Sequence, residues 1–175
     1  MTHTNWSAAH SSQRMNWQTP RDLFRAIQRR WGVMFSLDVA AHADNAMCPR
    51  HYDEMTDGLG CDWRGLVWCN PPYGRGIGRW VEKARHEARH PNCEGVWMLI
   101  FARPDTRWWH NHVAHASEIV FLKGRVRFVH PDTGATNPAP APSCVVVFRE
   151  PLVNGQAPRV SHWDWQQRGG GRGKR

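Results

Sequence analysis

The residues best suited to chemistry are Asn70, Pro71, Pro72 and Tyr73, directly behind the apolar run Leu66-Val67-Trp68-Cys69. The run predicts a short buried strand, and the two prolines must end it because proline cannot donate to a sheet ladder. A strand that stops in so stiff a loop projects its last polar groups from the carboxyl edge of a sheet. Open α/β sheets bind their ligands at that edge. The four residues offer a carboxamide oxygen, a peptide carbonyl held by proline and an aromatic ring. Two acceptors suit the two hydrogens of an exocyclic amine, and the ring suits the face of a flat heterocycle.

An aromatic amine such as the 6-amino group of adenine is a poor nucleophile, because its lone pair is delocalised into the ring. Acceptors at Asn70 Oδ1 and the Pro71 carbonyl would favour a pyramidal nitrogen and withdraw its proton as a new bond forms. Fixed dipoles then stabilise the transition state, and no strong general base is required. Pro71 and Pro72 lock φ and keep the carbonyl aimed. Tyr73 is expected to stack on the base at about 1–3 kcal/mol, once the base is flipped from a duplex or offered single-stranded. A methyl donor must then lie in line with the nitrogen. Asn-Pro pairs also begin ordinary turns. The position behind a buried strand in an α/β pattern favours the functional reading.

The elements that must position this loop follow from periodicity. Thr19-Pro20 predicts a helix start, with Thr19 as N-cap, Pro20 in the first turn and Leu23, Phe24, Ile27 and Trp31 as the apolar stripe. Residues 35–39 read as a strand. A helix after the loop carries Ile77, Trp80, Val81, Ala84 and Ala88 on one face. Residues 95–101 predict a buried strand, 105–116 a helix, and 119–122, 126–129 and 144–148 further strands. Helices alternate with strands early and strands follow alone, which predicts a three-layer α/β sheet, mostly parallel with an antiparallel hairpin at one edge.

With 175 residues and 41% hydrophobic content the chain suffices for one domain with a core. Residues 1–14 read as a flexible polar tail, 15–150 as the body and 151–175 as a basic, Gly-rich tail. Lys and Arg number 23 against 15 Asp and Glu, and 20 of the cations are arginine. A net charge of +8 with that arginine share points to a polyanionic partner. No apolar stretch reaches membrane-spanning length, so a soluble cytoplasmic protein is expected, with no membrane and no stable protein partner. The five cysteines lack close CxxC pairs and read as reduced, mostly buried thiols.

Several motifs fall in one order along residues 16–149. They are Trp17-Gln18-Thr19-Pro20, Leu37-Asp38-Val39-Ala40-Ala41, Asn45-Ala46-Met47-Cys48, and Asp57-Gly58-Leu59 with Asp62-Trp63. Val67 through Gly74 follow, then Arg103-Pro104-Asp105-Thr106 with Trp108, Phe121 through Phe128, and Asn137-Pro138-Ala139-Pro140 with Ser143. In these motifs the chain resembles the phage-type DNA N6-adenine methyltransferases, the Dam-like enzymes of phages and prophages. The resemblance implies a Rossmann-like methyltransferase domain, S-adenosylmethionine as donor and adenine in duplex or single-stranded DNA as acceptor, inside a bacterial host cell. It also implies that Thr19 and Pro20 meet the methionine end of the cofactor. Asp38 would approach the cofactor's amino group or ribose, with Ala40 and Asn45 beside it. Asp57 would accept from the adenine amine of the cofactor, with Leu59 against that ring. Alanines stand at Ala40-Ala41 where aminomethyltransferases commonly carry glycines. Asp44, Asn45 and Asp53 compete for the ribose hydroxyls.

Arg103, Arg125 and Arg127 are candidates for phosphate contacts, solvated surface arginines being the alternative. A strand over 126–129 would place Arg125 and Arg127 on one face. Cys48, His51, Cys61 and Cys69 are spaced too irregularly for a zinc knuckle, so no metal is expected. His110-Asn111-His112 falls within the predicted helix and reads as surface. Two further readings compete with DNA methylation: a non-catalytic nucleic-acid-binding module of the same fold, and methylation of RNA or of a protein amide.

Overall fold

The computed structural model describes residues 17–42, 44–130, 133–149 and 156–167. Along the chain these form α1 (Arg21–Trp31), β1 (Leu37–Asp38), β2 (Arg50–His51), β3 (Gly65–Cys69), α2 (Ile77–Glu87), β4 (Cys93–Phe101) and α3 (Arg107–Asn111). β5 (Glu118–Leu122), β6 (Arg127–Val129), β7 (Thr136–Pro138), β8 (Ser143–Phe148) and β9 (Arg159–Trp163) complete the series. Seven strands make one sheet in the order β2-β1-β3-β4-β8-β5-β9.

β2, β1, β3 and β4 pair in parallel, β8 runs antiparallel to both β4 and β5, and β9 is parallel to β5. All strands but β8 therefore share one direction, as the mostly parallel α/β reading expects. The reversed strand lies inside the sheet, however, with β5 and β9 beyond it. The expected edge hairpin is instead a separate two-stranded ribbon, β6–β7. Every residue of β8 is buried, as are Val96 to Ile100 of β4. Strands buried throughout their length are covered on both faces, which is why they read as unbroken apolar runs.

α1 forms where its apolar stripe predicts, burying Leu23, Phe24 and Ile27, and stops at Gly32 in the left-handed conformation (φ 62°). Phe24 meets Trp68 edge-on at 5.2 Å and Phe35 at 5.5 Å, and Phe35 reaches Trp97 at 5.4 Å. Trp68 and Trp97 are register partners in β3 and β4, so one sheet face carries this cluster. Each such side chain contributes about 1.5–3 kcal/mol by burial. α2 packs against β4 and against α3.

Four sequence expectations change. Thr19 does not cap α1: the N-cap position is Pro20, and the Thr19 hydroxyl, one residue too early, has no hydrogen-bond partner among the described residues. The helix predicted over 105–116 breaks at His112 (φ −129°, ψ −55°), leaving α3 and a 3-10 turn at Val113–His115. The strand over 35–39 is regular only at Leu37 and Asp38, although the Ser36 and Val39 amides also donate to the Leu66 and Trp68 carbonyls of β3, at 2.8 and 3.1 Å.

The fourth change concerns the boundary at residue 150, because β9 beyond it belongs to the sheet. Trp31 Nε1 and Arg159 Nη2 each donate to Glu118 Oε2 at 2.9 Å, and Trp31 meets Trp163 edge-on at 6.0 Å. Those contacts clamp β9 to β5 and α1. The tail at 1–14 lies outside the described residues, as do 168–175. Among the described residues no helix is long and apolar enough to cross a membrane.

Candidate active site

β1 and β3 are neighbours in the sheet, and their carboxyl ends open into one cleft with two lobes. Thr19, Asp38, Asn45, Met47, Asn70 and Pro72 line the smaller lobe. Tyr52, Asp53, Asp57, Gly58 and Trp80 line the larger. Ala40, His42 and Pro72 belong to both, so the lobes adjoin.

Asn70 follows the last residue of β3 and is fixed at both ends of its carboxamide. Nδ2 donates to the Trp17 carbonyl at 2.6 Å, and Oδ1 lies 2.9 Å from the Tyr73 hydroxyl. A carboxamide oxygen has two lone pairs, so one remains for a ligand. Trp17 is held in turn by the backbone beside it: Gln18 exchanges both amide bonds with Val129 of β6, at 3.0 and 3.1 Å. The β6–β7 ribbon thereby buttresses the cleft.

Tyr73 departs from the sequence expectation. Its ring is buried, with Phe101 stacked on one face at 4.0 Å and Phe128 against it at 5.6 Å. Its hydroxyl lies between Asn70 Oδ1 and the Leu99 carbonyl at 3.1 Å. An aromatic ring behind two prolines can turn towards a ligand or towards the core, and here the apolar rings of β4 and β6 take it. In this state Tyr73 orients Asn70 and offers no open face to a base.

Asp38, at the end of β1, staples the loop that follows. Oδ2 accepts from the Met47 amide at 3.0 Å and Oδ1 from the Ala40 amide at 3.3 Å. Burial pushes its carboxyl up to about 6, against those two amides and the attraction of His51. The side chain of Asn45 closes the same loop, its Oδ1 accepting from the His42 amide at 2.9 Å. Asp44 is exposed, one residue before it.

Asp57 adopts a positive φ of 49° and accepts from the Leu59 amide at 3.1 Å. Leu59 is half-buried beside the lobe that Asp57 and Gly58 line. Asp53 is the more tightly held acid: the Met55 and Thr56 amides and the Thr56 hydroxyl all reach Oδ1 within 3.0 Å. The Thr56 hydrogen bonds lower its pKa most, the Met55 amide less. Trp63 steadies this wall, its Nε1 donating to the Gly58 carbonyl at 2.7 Å and its backbone amide to the buried Glu87 at 2.9 Å.

Arg103, Arg125 and Arg127 are all exposed. Arg103 follows the carboxyl end of β4, and Arg125 and Arg127 lie on either side of the buried Val126, the alternation expected of them. Arg125 also reaches the Ala139 carbonyl at 3.3 Å. Sequence reasoning missed His42, Met47 and Trp80 as cleft residues. Trp80 sits on the apolar stripe of α2, where core and cleft positions share one period; it stacks on Trp63 at 6.2 Å.

The residues fit a cofactor with a charged amino acid end and a flat base. Thr19 Oγ1 is buried without a partner among the described residues, and it lines the smaller lobe with the Asp38 carboxylate. Asp53, Glu54, Asp57 and the Trp80 indole line the larger lobe.

Comparison with known proteins bears on what the cleft does. The chain matches the family described as DNA N-6-adenine-methyltransferase (Dam) over residues 6–169. It is 27% identical over 163 residues to the DNA N-6-adenine-methyltransferase of Escherichia phage T1, covering 83% of this chain and 67% of that one. The protein of the same description from Haemophilus phage HP1 is 27% identical over 135 residues, covering 75% and 77%. A putative RNA methyltransferase from Pyrococcus horikoshii superposes with a TM-score of 0.48 at 13% identity, over 76% of this chain and 85% of that one. That likeness is too slight to carry an argument.

Proposed function

The chain belongs to the DNA N-6-adenine-methyltransferase (Dam) family, and from that premise we propose that its cleft methylates adenine N6 through Asn70 and the Pro71 carbonyl. The observation that carries the reading is the Asn70 carboxamide, pinned at both ends beside the cleft that Thr19, Asp38 and Pro72 line. S-adenosylmethionine, when bound, supplies a methyl group on a positively charged sulfur.

The protein's own residues divide the remaining work. The Thr19 hydroxyl and the Asp38 carboxylate hold the amino acid end of the cofactor, with Ala40 and Asn45 lining that lobe and Pro20 following Thr19 into α1. Asp57, Gly58 and Trp80 take its adenine, with Leu59 held to Asp57 through its amide, and Asp53 is the acid assigned to the ribose. Asn70 Oδ1 and the Pro71 carbonyl accept the two N6 hydrogens of the target base. As the nitrogen–carbon bond forms, the bond from the methyl carbon to sulfur breaks and a neutral thioether leaves; the amine sheds one proton to solvent, and both acceptors stabilise the positive charge that develops on it in the transition state.

Tyr73 acts through Asn70 as a positioning residue. The target adenine leaves its duplex to reach these groups, and Arg103, Arg125 and Arg127 meet phosphates around it.

The test is transfer of labelled methyl from S-adenosylmethionine to DNA, followed by digestion to nucleosides. Label in N6-methyladenine is expected. Label confined to cytosine, or transfer to RNA or protein but not to DNA, would overturn the reading.

A further inference from the structure

A second concave surface lies outside the cleft, along the exposed side of α1. Asp22, Arg25 and Arg29 stand three and four residues apart on that side and line a groove of about 670 Å³ with Arg30, Trp163 and Trp165. Arg25 and Arg29 are exposed, and within the described residues neither makes a hydrogen bond or ion pair. Arg30 is engaged: its guanidinium lies over Trp31 at 5.1 Å and over Trp163 at 4.9 Å, and it approaches Glu118 at 4.0 Å. It therefore fixes the indole of Trp163 at the wall.

Of the nearby acids, Asp164 is held by Lys123 at 2.6 Å, and Asp22 accepts from the Leu23 amide. In the sequence, Gln167 at the groove's end is followed by Arg168, Arg172, Lys174 and Arg175.

We propose that this groove holds the sugar-phosphate backbone of DNA outside the target base. The proposal rests on the reading that DNA is the substrate. Two unengaged guanidinium groups suit phosphate oxygens, and the Trp165 indole beside the Arg30–Trp163 pair suits a sugar or an unpaired base. Position favours the same strand that enters the cleft. Thr19 lines the cleft just before α1, and Arg29 lies about 12 Å beyond the first residue of the helix at 1.5 Å per residue. That span equals roughly three to four nucleotides of one strand.

The test is fluorescence anisotropy of a labelled duplex from about 50 to 200 mM salt, with the parent, Arg25→Ala/Arg29→Ala and the distant Arg64→Ala. Losing two phosphate contacts should lower the slope of log affinity against log salt by roughly 1.8. DNA affinity at low salt, and 1/KM for DNA, should fall about tenfold (about 1.4 kcal/mol). Calorimetric affinity for S-adenosylmethionine should not change, nor should the slope for Arg64→Ala.

An unchanged slope in the double variant, or an equal loss in Arg64→Ala, would overturn the proposal. So would loss of poly-glutamate binding with DNA binding intact, which would assign the groove to an acidic protein. If the parent methylates no DNA, the function reading fails, whereas the salt slopes still report on the groove.

Discussion

Asp38 ties the chemistry of the cleft to pH. Its carboxyl titrates near 3.8 when the chain is unfolded and is pushed up to about 6 by burial in the fold. Between those values the native state binds more protons than the unfolded one, so stability falls as pH rises from about 4 to 6. At 1.36 kcal/mol per unit the loss is roughly 3 kcal/mol at most. Denaturant midpoints across that window should show the decline in the parent and lose it in Asp38→Asn.

A cationic ligand on Asp38 requires its ionised form, so cofactor affinity should rise between about pH 5 and 7. Calorimetry that finds a flat profile would remove Asp38 from that role. Tyr73→Phe separates two uses of the ring, because phenylalanine can still stack but cannot touch Asn70 Oδ1. A positioning role predicts about a tenfold fall in kcat, about 1.4 kcal/mol, with KM for DNA unchanged; full activity in the variant would return Tyr73 to base stacking. Asn70, Pro72 and Asp38 were legible in the sequence because strand ends and prolines dictate where they project. The inward turn of Tyr73 was not, because it depends on Phe101 and Phe128, which are 28 and 55 residues away in the chain.

Among the elements, α1, β3, α2, β4 and β8 could be read from apolar periods, because each buries enough surface to leave one. β9 could not: Arg159-Val160-Ser161-His162-Trp163 is an edge strand with mixed polar faces, set behind prolines and specified by partners far back in the chain. β2 and β7 are two and three residues long and carry no period at all. The Glu118 clamp turns this omission into a test. A chain ending at residue 155 removes Arg159 from Glu118, which keeps Trp31 and Arg30, and removes Trp163 from Trp31. A hydrogen bond to a charged group contributes about 1.5–3 kcal/mol, so melting should fall by roughly 5 °C. An unchanged melting temperature would show that β9 adds nothing to the sheet.

The loop before β3 is as closely fitted. A Cβ at Gly58 would sit 2.0 Å from the Val39 carbonyl, whereas one at Gly76 would meet nothing within 4 Å. Gly58→Ala should lower both melting temperature and cofactor affinity, and Gly76→Ala neither, as read by calorimetry.

At the level of the whole molecule, the proposed function divides two tasks: the cleft at the carboxyl edge of the sheet is assigned the reacting groups, and the basic groove along α1, with the exposed arginines, is assigned the attraction of a polyanion. A net charge of +8 makes long-range attraction of a polyanion an expected property, and that expectation was legible in the sequence alone. Where the cations gather was not legible, because Arg25 and Arg29 have the same helical spacing as any solvated face. The most direct measurement is single-turnover methyl transfer to DNA by Asn70→Ala at saturating S-adenosylmethionine. The rate should fall about 10²–10³-fold, the usual loss for one preorganised hydrogen-bonding partner of the transition state, with cofactor affinity within about twofold of the parent. A rate within a few-fold of the parent would contradict the claim that Asn70 stabilises transfer to the amine.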